Sequence, residues 1–426
     1  MRWLELHNLS SRSLQFTAAP LPCAPNPEKK NRPMKITHLL FATDFCAPGR
    51  GRVFVPSLVL AVLLAGIPAV SAADTASECS KATGETSIAA CSLLIESNRL
   101  STADLAVTYN YRGVAYARSG EFDRAIADFG EAIRRYPKSA LFYPYINRGD
   151  AYKAKNDVDR AIADYSEAIR LDPKSALAYN KRAHVWERKR EYDRAITDYT
   201  EAIRIDPDGD GTTYYFRGVL YGLKRDLEPA IADFTAAIRL EPGLAAAYNS
   251  RGIVHQLKGD LDRAIADFGE EIRLEPMEPG GYRSRGNARV RKAEVDGAIV
   301  DFSEAIRLAP ADAATYGYRG ATYLMKGDLE RAISDNSEAI RLDPRFAIAY
   351  HNRGKAYLLG SDFDRAITDF SEAIRLDPAF AMAYTDRGFA WESKGDRRRA
   401  IADYTEGVRL DPTNADAIAA LKRLTP

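Results

Sequence analysis

One stretch recurs nine times in this chain, and its period limits the available folds more than any other property. The clearest copy runs from Ala349 to Pro378, and every copy closes on a proline: Pro137, Pro173, Pro207, Pro242, Pro276, Pro310, Pro344, Pro378 and Pro412. Five of the last six intervals between these prolines are 34 residues, and none exceeds 36. A fixed period of this size marks a stacked array in which each copy is one supersecondary unit that cannot bury its apolar face alone.

Each copy reads as two helices. In the clearest one, helix A (347–360) places Tyr350, Gly354 and Tyr357 four and three residues apart on one face. Gly360, Ser361 and Asp362 break the pattern and offer an N-cap to helix B. Helix B carries Ala366, Ile367, Phe370, Ala373 and Ile374 as one apolar stripe. Leu-Asp-Pro ends it, because proline disfavours helix in the residue before it. The small residues at the places of Gly354 and Ala366 recur in nearly every copy (Ala183 takes the glycine place in the third) and allow close helix approach, while the aromatics fill the space between pairs.

At these spacings the aromatic, glycine, tyrosine, alanine, aromatic, alanine and proline resemble the tetratricopeptide repeat, over Ala106 to Pro412. The resemblance implies an all-α fold, a right-handed superhelical solenoid of antiparallel helix pairs, with the A helices lining its concave side. Three copies depart from the pattern. Glu271 stands at the late alanine of the fifth, Arg289 at the second aromatic of the sixth, and Asn336 at the helix-B aromatic of the seventh, so packing is expected to change locally in copies five to seven.

A second regularity lies outside that pattern. An arginine precedes the glycine place in all nine copies, from Arg112 to Arg387, and an aspartate precedes the helix-B aromatic place in all nine, from Asp128 to Asp403. They predict a partly buried Arg–Asp ladder, one rung per copy, that fixes the register of the stack. The alternative is that both groups face water separately.

The flanks differ from the array. Residues 1–51 are proline-rich, lack a sustained period and do not read as a domain. Within 52–73, an arginine flank, the apolar run Val53 to Gly66 and the small residues Ala69 to Ala73 form a secretory signal pattern. Cleavage is expected after Ala73, with an uncleaved anchor as the alternative. An initiation site later than Met1 would explain its position. The exported chain would keep two cysteines, Cys79 and Cys91, predicted to form a disulfide in a degenerate helical cap over 74–105. After Pro412, Thr413 is expected to cap a final amphipathic helix over 413–426 that closes the array.

Charge excludes several functions. The 60 Lys and Arg are balanced by 59 Asp and Glu, interleaved along the chain, so neither nucleic acid nor a specific lipid is an expected partner. His184, His255 and His351 lie in separate copies without metal-ligand spacing, and no phosphate loop or nucleophile elbow occurs. No catalytic residues and no cofactor are expected. Asp206, Asp208 and Asp210 match the opening half of a calcium loop, but the closing bidentate acid would fall on Arg217, which leaves a polar turn.

Binding remains. On the outward side of the A helices, copies four and five offer Tyr215, Val219, Leu223, Ile253 and Leu257; copies seven and eight offer Leu324, Met325, Leu358 and Leu359. Asn249, Arg283 and His351 are the accompanying polar contacts. Apolar patches framed by polar groups mark partner sites, so the expected function is a scaffold that binds protein or peptide segments in the cell envelope. A self-assembling array, with the patches serving a homo-oligomer, or a carrier of a non-protein ligand are the alternatives.

Overall fold

The structure, a computed structural model, describes residues 72–135 and 142–425. The 1–51 extension, nearly all of the expected signal and Pro137 lie outside the described residues. The chain divides into two compact units between Gly209 and Asp210. In the first, helices Ala72–Ser80 and Gly84–Glu96 precede copies one to three: Thr102–Arg118 with Phe122–Arg135, Tyr143–Ala154 with Val158–Leu171, and Ala176–Arg188 with Tyr192–Ile205. The second holds copies four to nine: Gly211–Lys224 with Leu227–Leu240, Ala245–Lys258 with Leu261–Leu274, Pro279–Arg291 with Val295–Leu308, Ala313–Lys326 with Leu329–Leu342, Ala347–Leu359 with Phe363–Leu376, and Ala381–Ser393 with Arg397–Leu410. Helix Ala415–Leu424 follows. All regular elements among the described residues are helices.

The expected small-against-large packing forms the core. The first alanine of every helix B, from Ala125 to Ala400, is fully buried, and so is the aromatic behind it in most copies. A Cβ placed on Gly354 would lie 2.9 Å from the Phe370 ring, so the glycine is needed for the helix contact rather than for backbone freedom. Freedom matters instead at the turn. There Ser361, not Gly360, holds positive φ (61°), and Asp362 caps helix B by accepting from the Arg365 N–H at 3.1 Å.

The Arg–Asp ladder is present in full. In eight copies the arginine Nε and Nη2 donate to the two oxygens of the aspartate on helix B of the same copy, at 2.7–2.9 Å. In the sixth, Arg285 Nε opens to 3.1 Å because Arg289 also donates to Asp301, at 2.8 Å. Each guanidinium also lies within 6 Å of the ring of the tyrosine three residues earlier, for example Arg353 at 5.7 Å from Tyr350. The aspartates are buried and the arginines mostly so, which makes each rung a desolvated, two-pronged pair. These rungs join the two helices of one copy. In six copies a separate bond reaches the preceding pair: the third arginine nitrogen, Nη1, donates to a serine or threonine there, as in Arg319 to Ser303 at 2.9 Å. Exposed lysines at the ends of A helices add pairs to acids in the preceding helix B, such as Lys326 to Asp296 at 2.6 Å, each worth little.

Departures from the pattern have visible consequences. Asn336 is fully buried where other copies hold an aromatic; its amide donates to the Ala332 carbonyl at 2.8 Å, and its Oδ1 has no hydrogen-bond partner. Glu271 occupies the late alanine place, and Gly281 opposite makes room for it: a Cβ there would sit 3.1 Å from the Glu271 carboxyl carbon. Burial pushes Glu271 up to about 7.

At the N-terminal end, Cys79 and Cys91 are buried with their sulfurs 2.04 Å apart. At the C-terminal end, Asn414 rather than Thr413 caps the last helix, accepting from the Ala417 N–H at 3.1 Å; Thr413 bonds Asp411 instead. Ala417 and Ala420 are buried against Tyr404, and Trp391, Leu421 and Leu424 pack around them.

Candidate partner-binding site

The outward positions of the A helices differ along the second unit. In copies four and five the expected apolar patch is covered: Tyr215, Val219 and Ile253 are only 8, 5 and 7% exposed. The Tyr215 ring turns into the stack, 5.9 Å from Phe234 and 5.3 Å from Phe216. Leu223 and Leu257 are half-buried. Asn249 is buried too, and its amide donates to Glu271 at 2.7 Å, where it serves the half-hidden carboxyl rather than a partner. Tyr215, Val219, Asn249 and Ile253 are interior and Leu223 and Leu257 only half-open, which corrects the reading of copies four and five as an exposed patch. Arg283 in copy six is likewise engaged, donating to Asp312 at 2.9 Å.

Copies seven to nine are open. The A helices Ala313–Lys326, Ala347–Leu359 and Ala381–Ser393 border a trough of about 550 Å³ lined by Ala321, Leu324, Met325, Ile348, His351, Asn352, Lys355, Leu359, Asp377, Phe380 and Met382. Met325, Ile348, Leu359, Met382 and the nearby Phe389 are each 52–57% exposed, which is high for large apolar side chains. The trough follows from side-chain sizes. At the place that Tyr215 fills in copy four, copy seven has Gly317; at the place of Val219, it has Ala321. Phe346 leans into the space at Gly317, where a Cβ would lie 2.8 Å from its ring.

Of the residues expected from sequence, Leu324, Met325, His351 and Leu359 meet in this trough, whereas Leu358 is half-buried and does not line it. His351 is part of the wall: its Nε2 is 2.8 Å from an Asp386 oxygen, and its ring lies 4.8 Å from Phe380 and 5.6 Å from Phe370. The groups with no intramolecular hydrogen-bond or ion-pair partner among the described residues are Lys355 and Asn352. Ile348 adds to the surface in copy eight, and Phe380, Met382 and the exposed Phe389 extend it into copy nine. The apolar side chains at the start of each A helix carried this signal in the sequence, at Ile348 and Met382.

His184 and His255 are held within the repeats by hydrogen bonding and by packing, respectively. His184 Nδ1 is 2.8 Å from the Tyr199 hydroxyl, and His255 is buried, which holds its imidazole below the usual range. Asp210 caps helix A of copy four, accepting from the Thr212 N–H at 2.8 Å. No group of three or more metal-ligating side chains occurs among the described residues, and no helix among them is long and apolar enough to cross a membrane.

Four family models described as tetratricopeptide or TPR repeat match this chain, over residues 106–139, 146–210 with 221–279, 320–360 and 347–380, together about half of its length. The chain is a tetratricopeptide repeat protein. Among solved structures it is similar to the APC/C Cut9–Hcn1 hetero-tetramer (16% identity, 75% of this chain and 76% of that one, TM-score 0.46). It is also similar to a tetratricopeptide repeat protein of Parabacteroides merdae (20%, 58% and 98%, TM-score 0.43) and to YrrB, described as having an unusual peptide-binding site (22%, 44% and 97%, TM-score 0.38). No curated protein matches it. Tetratricopeptide repeats are in general interaction scaffolds rather than enzymes, and the trough in copies seven to nine is where this one presents an apolar surface.

Proposed function

We propose that this protein is an exported scaffold that docks an apolar protein segment in the trough of copies seven to nine. One observation carries the reading: Met325, Ile348, Leu359 and Met382 stay half-exposed around one cavity bordered by three successive A helices, with Phe389 exposed on the last of them, whereas Tyr215, Val219 and Ile253 in copies four and five are covered. Two of the five are methionines, whose flexible thioethers adapt to varied apolar partners. Lys355, with no acid paired to it, favours a segment that carries a carboxylate beside its apolar anchors. The preformed helices lose little ordering entropy on docking, so affinity would come from the buried anchors. The arginine-flanked apolar run before Ala73, and the Cys79–Cys91 pair as a disulfide, support an exported chain.

Capture from a cell-envelope fraction with the intact protein, beside a Met325→Glu/Met382→Glu variant, tests the reading. The expected result is a protein held by the first and lost by the second, with both variants equally folded. Retention of the same protein by both would overturn the trough as its site. If the substitutions instead split a concentration-dependent oligomer of the chain, self-assembly replaces adaptor binding. N-terminal sequencing of the mature protein tests export, with Asp74 as the expected first residue.

A further inference from the structure

We propose a second binding site, for an oxyanion, over Gly130 in copy one. It follows from a comparison of the inter-copy bonds. Six ladder arginines send Nη1 to a hydroxyl of the preceding pair: Arg112 to Ser92, Arg182 to Ser166, Arg251 to Thr235, Arg319 to Ser303, Arg353 to Ser337 and Arg387 to Ser371, at 2.9–3.1 Å. For Arg148 the residue at that place is Gly130, so its Nη1 has no acceptor among the described residues.

A second departure falls on the same spot. Other copies have leucine or isoleucine where copy one has Arg135. In copies two and six to nine the preceding arginine grips its glutamate with two nitrogens, as Arg375 does Glu372, and in copies three and five with Nε. In copy one, Glu131 is shared between Arg134 and Arg135. Arg134 holds Glu131 through Nη2 alone, and its Nη1 turns toward Gly130. A Cβ built on Gly130 would lie 3.7 Å from Arg134 Nη1 and 3.9 Å from Arg148 Nη1. Two guanidinium nitrogens thus face the volume that a serine hydroxyl fills in other copies.

The volume opens into a hollow of about 610 Å³ bordered by Tyr109, Arg112 and Arg135. Arg135 is held there over the Tyr109 ring at 4.9 Å. The four arginines 112, 134, 135 and 148 face the three carboxylates Asp128, Glu131 and Asp164, which leaves one positive charge uncompensated. Planar guanidinium groups with free N–H donors suit the oxygens of a phosphate or a carboxylate. Gly269 supplies the internal control. It places Arg285 Nη1 in the same way, at 3.7 Å from its Cβ position, but Leu274 stands where Arg135 would be, and Arg273 stays on Glu270. There the second donor is missing.

Calorimetric titration of the whole chain with inorganic phosphate, and separately with acetate, at constant ionic strength tests the site and separates the two chemistries. Saturable binding of either anion is expected, weakened at least tenfold in Gly130→Ser and in Arg135→Leu, and unchanged in Gly269→Ser. Serine and leucine are the residues other copies carry at those places, so the variants keep the fold. No saturable heat with either anion, or equal binding by Gly130→Ser, overturns the proposal.

Discussion

Copies four and five and copies seven to nine share the same periodic places, yet Tyr215, Val219 and Ile253 are interior in the first region, whereas Met325, Leu359 and Phe389 stand at the surface in the second. The difference lies in which copy carries bulk. Tyr215, Val219 and Ile253 fill their own surroundings, whereas Gly317 and Ala321 leave a trough whose walls are supplied by the flanking residues Met325, Ile348 and Leu359. In a stacked array, a helix face therefore cannot be assigned from its own residues alone: the neighbours above and below decide whether it is open.

The comparison can be broken by substitutions that should act on stability in one region and on binding in the other. The largest effect is expected for Tyr215→Ala, with a loss of about 3 kcal/mol in denaturant unfolding and no direct effect on capture by the trough. A loss below about 1 kcal/mol would return copy four to the surface. Next comes Glu271, whose pKa in the fold, about 7, lies above its ordinary 4.5. Its contribution is fully present below pH 4.5 and is lost as pH rises through 7, at most about 3 kcal/mol. Glu271→Gln should remove that fall between pH 4.5 and 7, as read from unfolding midpoints across pH. His255, held low by burial, acts with the opposite sign, losing stability as pH falls below its ordinary 6.5, and it remains in the variant as a reference.

Asn336→Phe restores the aromatic of the other copies and removes a buried unpaired oxygen, so a gain of about 1–2 kcal/mol is expected. A destabilised variant would mean that copy seven is built around the asparagine. The smallest effect belongs to Met325→Ala, within about 0.5 kcal/mol of the parent in unfolding, because the side chain already stands in water.

Much of this architecture was legible in the sequence because it repeats. Nine helix pairs and the Arg–Asp ladder follow from residues that return at fixed spacing, and copy-to-copy agreement averages out local ambiguity. The hydroxyls that receive Nη1 are equally periodic, at Ser166, Ser303, Ser337 and Ser371, but a serine one residue after the helix-B aromatic place has no meaning until the arginine of the next copy is seen beside it. The candidate site was half legible. Leu324, Met325, His351 and Leu359 line one trough, and Ile348, Phe380 and Met382 complete it from the beginnings of their helices. Copies four and five were misjudged because the inward turn of Tyr215 depends on space that only packing defines.

The separation of the ladder into two kinds of bond has a mechanical side. Each copy is clasped internally by a two-pronged charged pair, but the ladder itself ties most successive copies by only one bond to a hydroxyl, and at Gly130, between copies one and two, and Gly269, between copies five and six, it makes no such bond among the described residues. A chain built this way has stiff links and compliant joints. At those two glycines the ladder is interrupted, and the load between copies falls on packing and on surface pairs such as Lys155 with Asp123 and Lys292 with Asp262.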